Sequence, residues 1–106
     1  MISSERVEKA VEFIRDHAEE IGQLTGLCKS LEQQRKVIRG QEFLLASGTV
    51  AEREAKAESS DAYKAVVEDI QNAWAEKTTL ETQIRAAELT IEVWRSQNKW
   101  GDRGHL

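Results

Sequence analysis

The residues best suited to binding chemistry lie near the C-terminal end of the chain, in residues 94–103. This segment interleaves two indole rings with three cations, namely Trp94, Trp100, Arg95, Lys99 and Arg103. Aromatic rings stack on unpaired bases and cations neutralise phosphates, so the pattern is typical of proteins that bind single-stranded nucleic acid. The same residues also have a structural interpretation, in which Trp94 anchors a core and Trp100 folds over a helix end.

A second group of cations, Lys29, Lys36 and Arg39, offers a further phosphate contact. Basic faces of this kind are also common on helices that meet only solvent. The formal net charge of the chain is −4, which argues against nucleic-acid binding through charge alone. Nucleic acid is therefore an alternative partner rather than the favoured one.

Metal and cofactor chemistry has little support in the residue pattern. His17 and Glu20 form an H-x-x-E pair on one helical face, but a metal site needs three or four ligands and no second such pair exists. The single cysteine, Cys28, excludes an intrachain disulfide and a multi-cysteine metal site. We predict no metal and no cofactor. We interpret His17 as a half-exposed histidine between helices, with a pH switch as the alternative.

Catalysis has no supporting pattern either. Arg35, Glu42 and Lys77 are charged residues that interrupt an otherwise apolar pattern. An acid–base set needs convergent groups in a pocket, whereas polar residues at such positions select the register and partner of paired helices. We therefore predict a protein without enzymatic activity.

Two apolar stripes with heptad spacing, one in each half of the chain, predict the fold. The first comprises Val7, Ala10, Ile14, His17, Ile21, Leu24, Cys28, Leu31, Arg35, Ile38, Glu42 and Leu45. The second comprises Tyr63, Val66, Ile70, Ala73, Lys77, Leu80, Ile84, Ala87, Ile91 and Trp94. This spacing is typical of coiled coils. The stripes predict an all-α fold, an antiparallel two-helix coiled-coil hairpin.

Hydroxyl residues placed where helices would begin set the expected boundaries. The predicted elements are a helix over 3–47 capped by Ser3, a short tip helix over 49–58 capped by Thr49, and a helix over 60–98 capped within Ser59-Ser60-Asp61. Gly48 supplies the residue that ends the first helix. The hairpin domain thus covers residues 1–98, and a flexible tail covers 99–106.

The two stripes can be joined in one constant antiparallel register. It places Leu45 opposite Tyr63, Cys28 opposite Leu80 and Ile14 opposite Trp94. The same register brings Arg95 and Lys99 beside the acidic start of the first helix. Gly22 and Gly26 lie inside that helix and each costs about 1 kcal/mol relative to alanine. They predict a local break, with close contact with another subunit as the alternative.

Apolar residues beside the stripes, or at the end of one, predict assembly. A two-helix seam buries its residues only partly, whereas ordering the backbone costs about 1–2 kcal/mol per residue. A second hairpin would complete a helical bundle, so we predict a homodimer or higher oligomer. The predicted oligomer or partner interface comprises Phe13, Leu27, Val67, Trp74 and Trp94. We expect a partner protein to bind either the tip helix over residues 49–60 or the exposed apolar side of the bundle.

The composition and the N-terminal residues predict a cytoplasmic location. No apolar run approaches the ~20 residues needed to span a membrane. Charged residues begin at Glu5, so the N-terminal residues lack the apolar core of a signal peptide. We therefore expect no membrane partner.

Two segments resemble small helical proteins encoded by tailed bacteriophages and prophages. They are the run TVAERE at residues 49–54 and the run IEVWRSQ at residues 91–97, within a resemblance over residues 30–97. The resemblance implies a phage accessory protein of DNA replication or recombination that acts through protein–protein contacts in the bacterial host cell. It carries over no functional residues.

A further alternative is an inhibitor of a host protein, whose acidic helical face mimics nucleic acid. Residues 5–20 hold six acidic side chains against three basic ones, Glu5, Glu8, Glu12, Asp16, Glu19 and Glu20 against Arg6, Lys9 and Arg15. Such a protein would bind a host partner rather than a phage one.

Direct binding of single-stranded nucleic acid by the C-terminal segment is testable with a labelled oligonucleotide. Binding should weaken as salt rises, because counterions compete for the phosphates. It should be lost when Lys99, Trp100 and Arg103 are all changed to alanine. Fluorescence anisotropy measures both effects, and an absence of binding at low salt would remove this alternative.

Overall fold

The computed structural model describes the backbone of residues 1–104 and the side chains of residues 1–99. The described chain is all-helical, which confirms the predicted fold class at the level of secondary structure. Its elements are α1 (Ser4–Leu45), α2 (Val50–Glu58) and α3 (Asp61–Gly104). The short helix α2 occupies the predicted tip position between the two long helices.

The predicted hydroxyl caps are confirmed at all three helix starts. A capping hydroxyl satisfies a backbone N–H that has no partner within the helix. In each case the side-chain oxygen accepts from the backbone N–H three residues on, Ser3 from Arg6, Thr49 from Glu52 and Ser60 from Tyr63, all at 3.2 Å.

Helix α1 is continuous through Gly22 and Gly26, so the predicted break is wrong. Both glycines are exposed, as is Gly40. A Cβ added at any of the three would meet nothing within 4 Å. The chain therefore tolerates their cost in helix propensity, about 1 kcal/mol each, without using them for a contact of its own.

Helix α3 extends beyond its predicted end at residue 98. It continues to Gly104, where the sequence predicted a flexible tail over residues 99–106. No proline follows Asn98, and one glycine costs too little to end a helix this long. Residues 105 and 106 lie outside the described residues.

The chain forms two compact units. The terminal unit combines Met1–Gly22 with the described residues from Thr78 onward, and the tip unit is Gln23–Lys77. In the terminal unit the most buried side chains are Val7, Ala10 and Leu80. In the tip unit they are Leu24, Cys28, Ala57, Val66, Ile70 and Ala73.

Burial follows the two predicted stripes closely. Every stripe residue is buried or half-buried except Leu45, whose side chain is 81% exposed. The charged stripe residues Arg35, Glu42 and Lys77 are half-buried. Heptad spacing therefore identified the inward positions correctly, and Leu45 is its one error.

The predicted register is wrong in the tip unit. Arg35 Nη1 donates a hydrogen bond to the Tyr63 hydroxyl at 3.3 Å. The predicted register placed Tyr63 opposite Leu45, ten residues or about 15 Å along α1 from Arg35. An arginine side chain does not span that distance.

The terminal unit contradicts the same register independently. The Ile2 N–H donates to Gln97 Oε1 at 3.0 Å, although the predicted register placed residue 2 opposite residue 106, about 13 Å farther along the helix. Both contacts fit a register displaced by one heptad, with Tyr63 opposite Ile38 and Trp94 opposite Val7. Among the described residues, neither Arg95 nor Lys99 forms an ion pair with the acidic residues near the chain start.

The displacement has a physical cause in α2. A shift by one heptad keeps every stripe position facing the partner helix, so the apolar pattern does not distinguish the two registers. Helix α2 folds back along α1, and its Glu58 pairs with Arg39 at 3.0 Å. Helix α3 therefore begins opposite Ile38 rather than opposite the end of α1. Leu45, one heptad farther along α1, has no partner on α3.

Substituting Gly48 with alanine should destabilise the turn between α1 and α2. Gly48 has a φ of +117°, and an added Cβ would also collide with the Glu52 side chain. We expect a loss of about 1–3 kcal/mol in the free energy of unfolding, measured by urea denaturation followed by circular dichroism.

The matched control is Ser47→Ala, at a neighbouring position with a negative φ. It should change the free energy of unfolding by less than about 0.5 kcal/mol. Equal stability of Gly48→Ala and the wild type would contradict the role of this turn.

Candidate protein-contact site at the tip helix

Two cations of α2 hold it against the C-terminal end of α1. Arg53 Nε donates to the Phe43 carbonyl at 3.2 Å, and its guanidinium lies 4.3 Å from the Phe43 ring centroid. Lys56 Nζ donates to the Ser47 carbonyl at 2.7 Å. The last turn of α1 has no basic residue of its own. The α2 cations therefore bond to carbonyls at the end of α1 and in the turn that follows, and they complement the negative end of the α1 dipole.

Burial and an ion pair also hold the side of α2 that faces α1. Ala57 is fully buried, and the neighbouring Glu58 forms the ion pair with Arg39. At the end of α2 the Ser60 hydroxyl donates to the Ala57 carbonyl at 2.7 Å and accepts from the first turn of α3. These contacts hold α2 in one position against α1.

Three large apolar residues on either side of the turn between α1 and α2 are strongly exposed. Leu44, Leu45 and Val50 are 75%, 81% and 62% exposed. We call these three residues the tip surface. Every other large apolar residue with a described side chain, apart from Met1 and Val37, is less than half exposed. Apart from Met1 at the chain end, the most exposed large apolar residues of the described chain therefore lie at or next to the start of α2.

The basic side chains of α2 have bonding partners within the chain, whereas two of its acidic side chains have no ion pair in the described part of the chain. Arg53 and Lys56 donate to carbonyls of α1 and its turn. Glu52 and Glu54 are exposed, and neither carboxylate has an ion pair in the described part of the chain. Helix α2 therefore carries two exposed carboxylates without an ion pair among the described residues, and one of them, Glu54, lines a cleft of the tip unit.

A cleft of about 520 Å³ lies on the inner side of the tip. Its lining includes Arg35, Lys36, Arg39, Phe43, Glu58 and Tyr63. Hydrogen bonds from Arg35 to Tyr63, first, and to Glu32 raise the pKa of the Arg35 guanidinium, which is charged at neutral pH in any case. Arg39 and Glu58 of the lining form an ion pair, and Arg35 bonds to Tyr63. The lining includes no nucleophile hydrogen-bonded to a base.

The predicted nucleic-acid residues are only partly brought together. Lys36 and Arg39 share the cleft, but Arg39 is paired with Glu58, and the exposed Lys29 lies a heptad earlier on α1. Arg95 and Lys99 are exposed on α3. The side chains of Trp100 and Arg103 lie outside the described residues.

The predicted interface residues divide between the two units. In the terminal unit, Phe13 is half-buried and stacks on His17 with ring centroids 4.1 Å apart. Trp94 of the same unit is half-buried. In the tip unit, Val67 is half-buried while Leu27 and Trp74 are exposed, with the Lys77 ammonium 4.8 Å from the Trp74 ring centroid.

His17 has a structural role in the terminal unit. Its Nδ1 lies 2.8 Å from the Phe13 carbonyl. Because a carbonyl only accepts, Nδ1 carries the proton of this bond. Among the described side chains, those of residues 1–99, no group of three or more His, Cys, Asp or Glu residues is arranged to hold a metal ion.

The sequence predicted partner binding through the tip helix over residues 49–60, which contains Val50. It did not predict the exposure of Leu44 and Leu45, although a signal was present. Phe43, Leu44 and Leu45 are consecutive apolar residues, and consecutive residues of a helix cannot all face one core. Phe43 turns towards Arg53, which leaves the two leucines outside.

None of the described helices has the length and apolar character needed to cross a membrane. Comparisons with known protein families, curated proteins and solved structures found no match to this chain.

Substituting Arg53 with alanine should loosen α2 from α1. The change removes a charged hydrogen bond to a carbonyl and a cation–π contact, and we expect a loss of about 1–2 kcal/mol in the free energy of unfolding. Urea denaturation measures this loss. Lys64→Ala, which removes an exposed cation of α3, should stay within about 0.5 kcal/mol of the wild type. Equal losses in both variants would contradict the anchoring role of Arg53.

Proposed function

We propose that this chain is a non-enzymatic helical protein that acts through contacts with other proteins, and that the tip surface is its principal contact site. The observation that carries the proposal is the exposure of Leu44, Leu45 and Val50 beside a helix that is firmly anchored. Exposed apolar clusters on soluble proteins commonly mark interaction sites.

The energetics of the tip surface support this role. Full burial of a leucine or valine side chain stabilises a complex by about 1.5–3 kcal/mol. A few such anchors in a preorganised position supply most of the affinity of a typical interface. Anchoring of α2 by Arg53 and Lys56 keeps Val50 in place, so little conformational entropy is lost on binding.

The proposed architecture is the antiparallel two-helix coiled-coil hairpin, assembled into a homo-oligomeric helical bundle. The burial of stripe residues in both units supports the pairing. The exposed side chains of Leu27 and Trp74 support assembly, because a monomer leaves them in water. Phe13, Val67 and Trp94 are half-buried and would contribute less.

The proposed setting is the cytoplasm of a bacterial host during phage DNA replication or recombination. It rests on the resemblance of the TVAERE and IEVWRSQ runs to small phage proteins. The first of these runs contains Val50 and Arg53, so the segment that carries the resemblance also builds the tip. A contact role is consistent with this overlap.

The two alternative functions have weaker support. Arg39 is engaged with Glu58, which reduces the positive charge available to a phosphate backbone. In the acidic segment, Glu5 pairs with Lys9 at 3.3 Å and Asp16 with Arg15 at 3.5 Å. Both pairs partly neutralise the face that would mimic nucleic acid.

Affinity capture with a tip variant tests the proposal. Tagged wild type, the double variant Leu44→Ser with Leu45→Ser, and the control Leu89→Ser with Val93→Ser are incubated with lysate of the encoding bacterium. We expect a partner to be retained at least tenfold more by wild type and control than by the tip variant, because two anchors are lost. Quantitative mass spectrometry measures retention.

Leu89 and Val93 make a matched control because both are exposed apolar residues of α3. Retention that is equal for all three proteins would contradict the contact role of the tip surface. A tip-dependent partner without a role in DNA metabolism would contradict the proposed setting while leaving the contact role intact.

A further inference from the structure

One face of α1 in the tip unit carries no charge and only one large apolar side chain. Charged residues make up 32% of the chain, yet this face has none over about five helical turns. All its members are exposed. We call it the neutral face, and it comprises Gln23, Gly26, Ser30, Gln33, Gln34, Val37, Gly40 and Gln41.

The neutral face is on the side of α1 away from its buried stripe. Val37 follows the buried Cys28 by nine residues, which places the two side chains on opposite sides of a helix with 3.6 residues per turn. Val37 is 57% exposed. Leu44 of the tip surface follows Val37 by seven residues, or about two helical turns, and therefore lies on the same side of α1. Exposed apolar side chains thus continue from the neutral face to the tip surface.

The chain itself gives no reason for the glycines of this face. A Cβ at Gly26 or Gly40 would meet nothing within 4 Å, so neither glycine makes room for another part of the same chain. Glycine in a helix permits the close approach of a second backbone. Gly26 and Gly40 leave gaps in the surface of the helix, and Val37 projects between them.

We propose that the neutral face is where a second copy of this chain docks, with the two α1 helices antiparallel about a two-fold axis. The inference deepens the homo-oligomer part of the proposed function and rests on it. It is independent of the tip surface, which binds a different protein.

Shape favours a second copy as the occupant. A two-fold axis between residues 30 and 33 places Gly26 opposite Val37, Gly40 opposite Gln23, and Ser30 opposite Gln33. In each pair a smaller residue meets a larger one. Because a two-fold interface uses the same patch twice, each of these matches occurs twice.

Charge also favours a second copy. In a two-fold interface a charge near the axis lies next to its own copy, which destabilises the pair. The neutral face avoids this repulsion because it has no charge. Glutamine side chains add donors and acceptors that can pair in either direction.

The size of the face sets the expected affinity. Residues 23–41 span about 27 Å of helix, and one helix face covers less than the ~800 Å² per partner of a standard interface. The dimer therefore belongs to the weak, reversible class, with a dissociation constant in the micromolar range or above.

Charge-swapped variants of Gln33 test the proposed axis. Sedimentation velocity is measured on the full chain from about 5 to 500 µM, a range chosen for micromolar affinity. Gln33→Glu and Gln33→Lys should each raise the dissociation constant of the dimer at least tenfold, because like charges then meet near the axis. An equimolar mixture of the two variants should restore dimerisation, because opposite charges meet in the mixed dimer.

The matched controls are Gln71→Glu and Gln71→Lys, which place the same charges at an exposed glutamine of α3. Both should dimerise as the wild type does. A second measurement uses Gly26→Ala, which should raise the thermal midpoint of the monomer, through helix propensity, while weakening the dimer. A glycine without an interface role would show only the first effect.

Three outcomes would overturn the proposal. They are a wild type that stays monomeric over the whole range, a dimer that is insensitive to both Gln33 variants, and a mixture that fails to restore dimerisation. If the Gln33 variants lose helicity by circular dichroism, Ser30→Glu and Ser30→Lys replace them under the same criteria. Tip-dependent capture of a partner would survive all these failures, which separates this inference from the contact role of the tip.

Discussion

The attachment of α2 to the end of α1 is the interaction on which the rest of the tip unit depends. Arg53 and Lys56 donate to the carbonyls of Phe43 and Ser47, and Ala57 of the same helix is fully buried. This folding back shortens the part of α1 that is available to α3, and so selects the register between them. It also leaves Leu44 and Leu45 on the outside, where no part of the tip unit covers them.

The same attachment links stability to the proposed contact role. The cations Arg53 and Lys56 of α2 donate to carbonyls within the fold, whereas Glu52 and Glu54 of the same helix are exposed and form no ion pair among the described residues. A partner for the tip is therefore expected to be apolar in the centre and basic at the edge. The neutral face on the outer side of α1 has the opposite character, because it lacks charge and suits a copy of itself. In the two proposals, the tip surface contacts a different protein and the neutral face contacts a second copy of the chain.

Much of the fold could be predicted because its signals are local. Hydroxyl caps at Ser3, Thr49 and Ser60 bond to residues three positions away, and heptad spacing identified the buried Cys28 and Val66. The tip surface could not be predicted from the stripes, because Leu45 continues the heptad pattern and is exposed only where α3 fails to reach it. The pairing of Arg39 with Glu58 depends on the position of α2, so the spacing of residues along α1 could not predict it.

The sequence by itself determined the helices, their starting caps and the inward stripes, because propensity, capping and periodicity act over a few residues. Only the tertiary structure decided which heptad of α1 faces Tyr63 and which apolar residues remain in water. The physical reason is that a heptad repeat matches itself after every seven residues, so the pattern alone leaves several registers equivalent. The bonds from α2 to Phe43 and Ser47 remove that equivalence and choose one register.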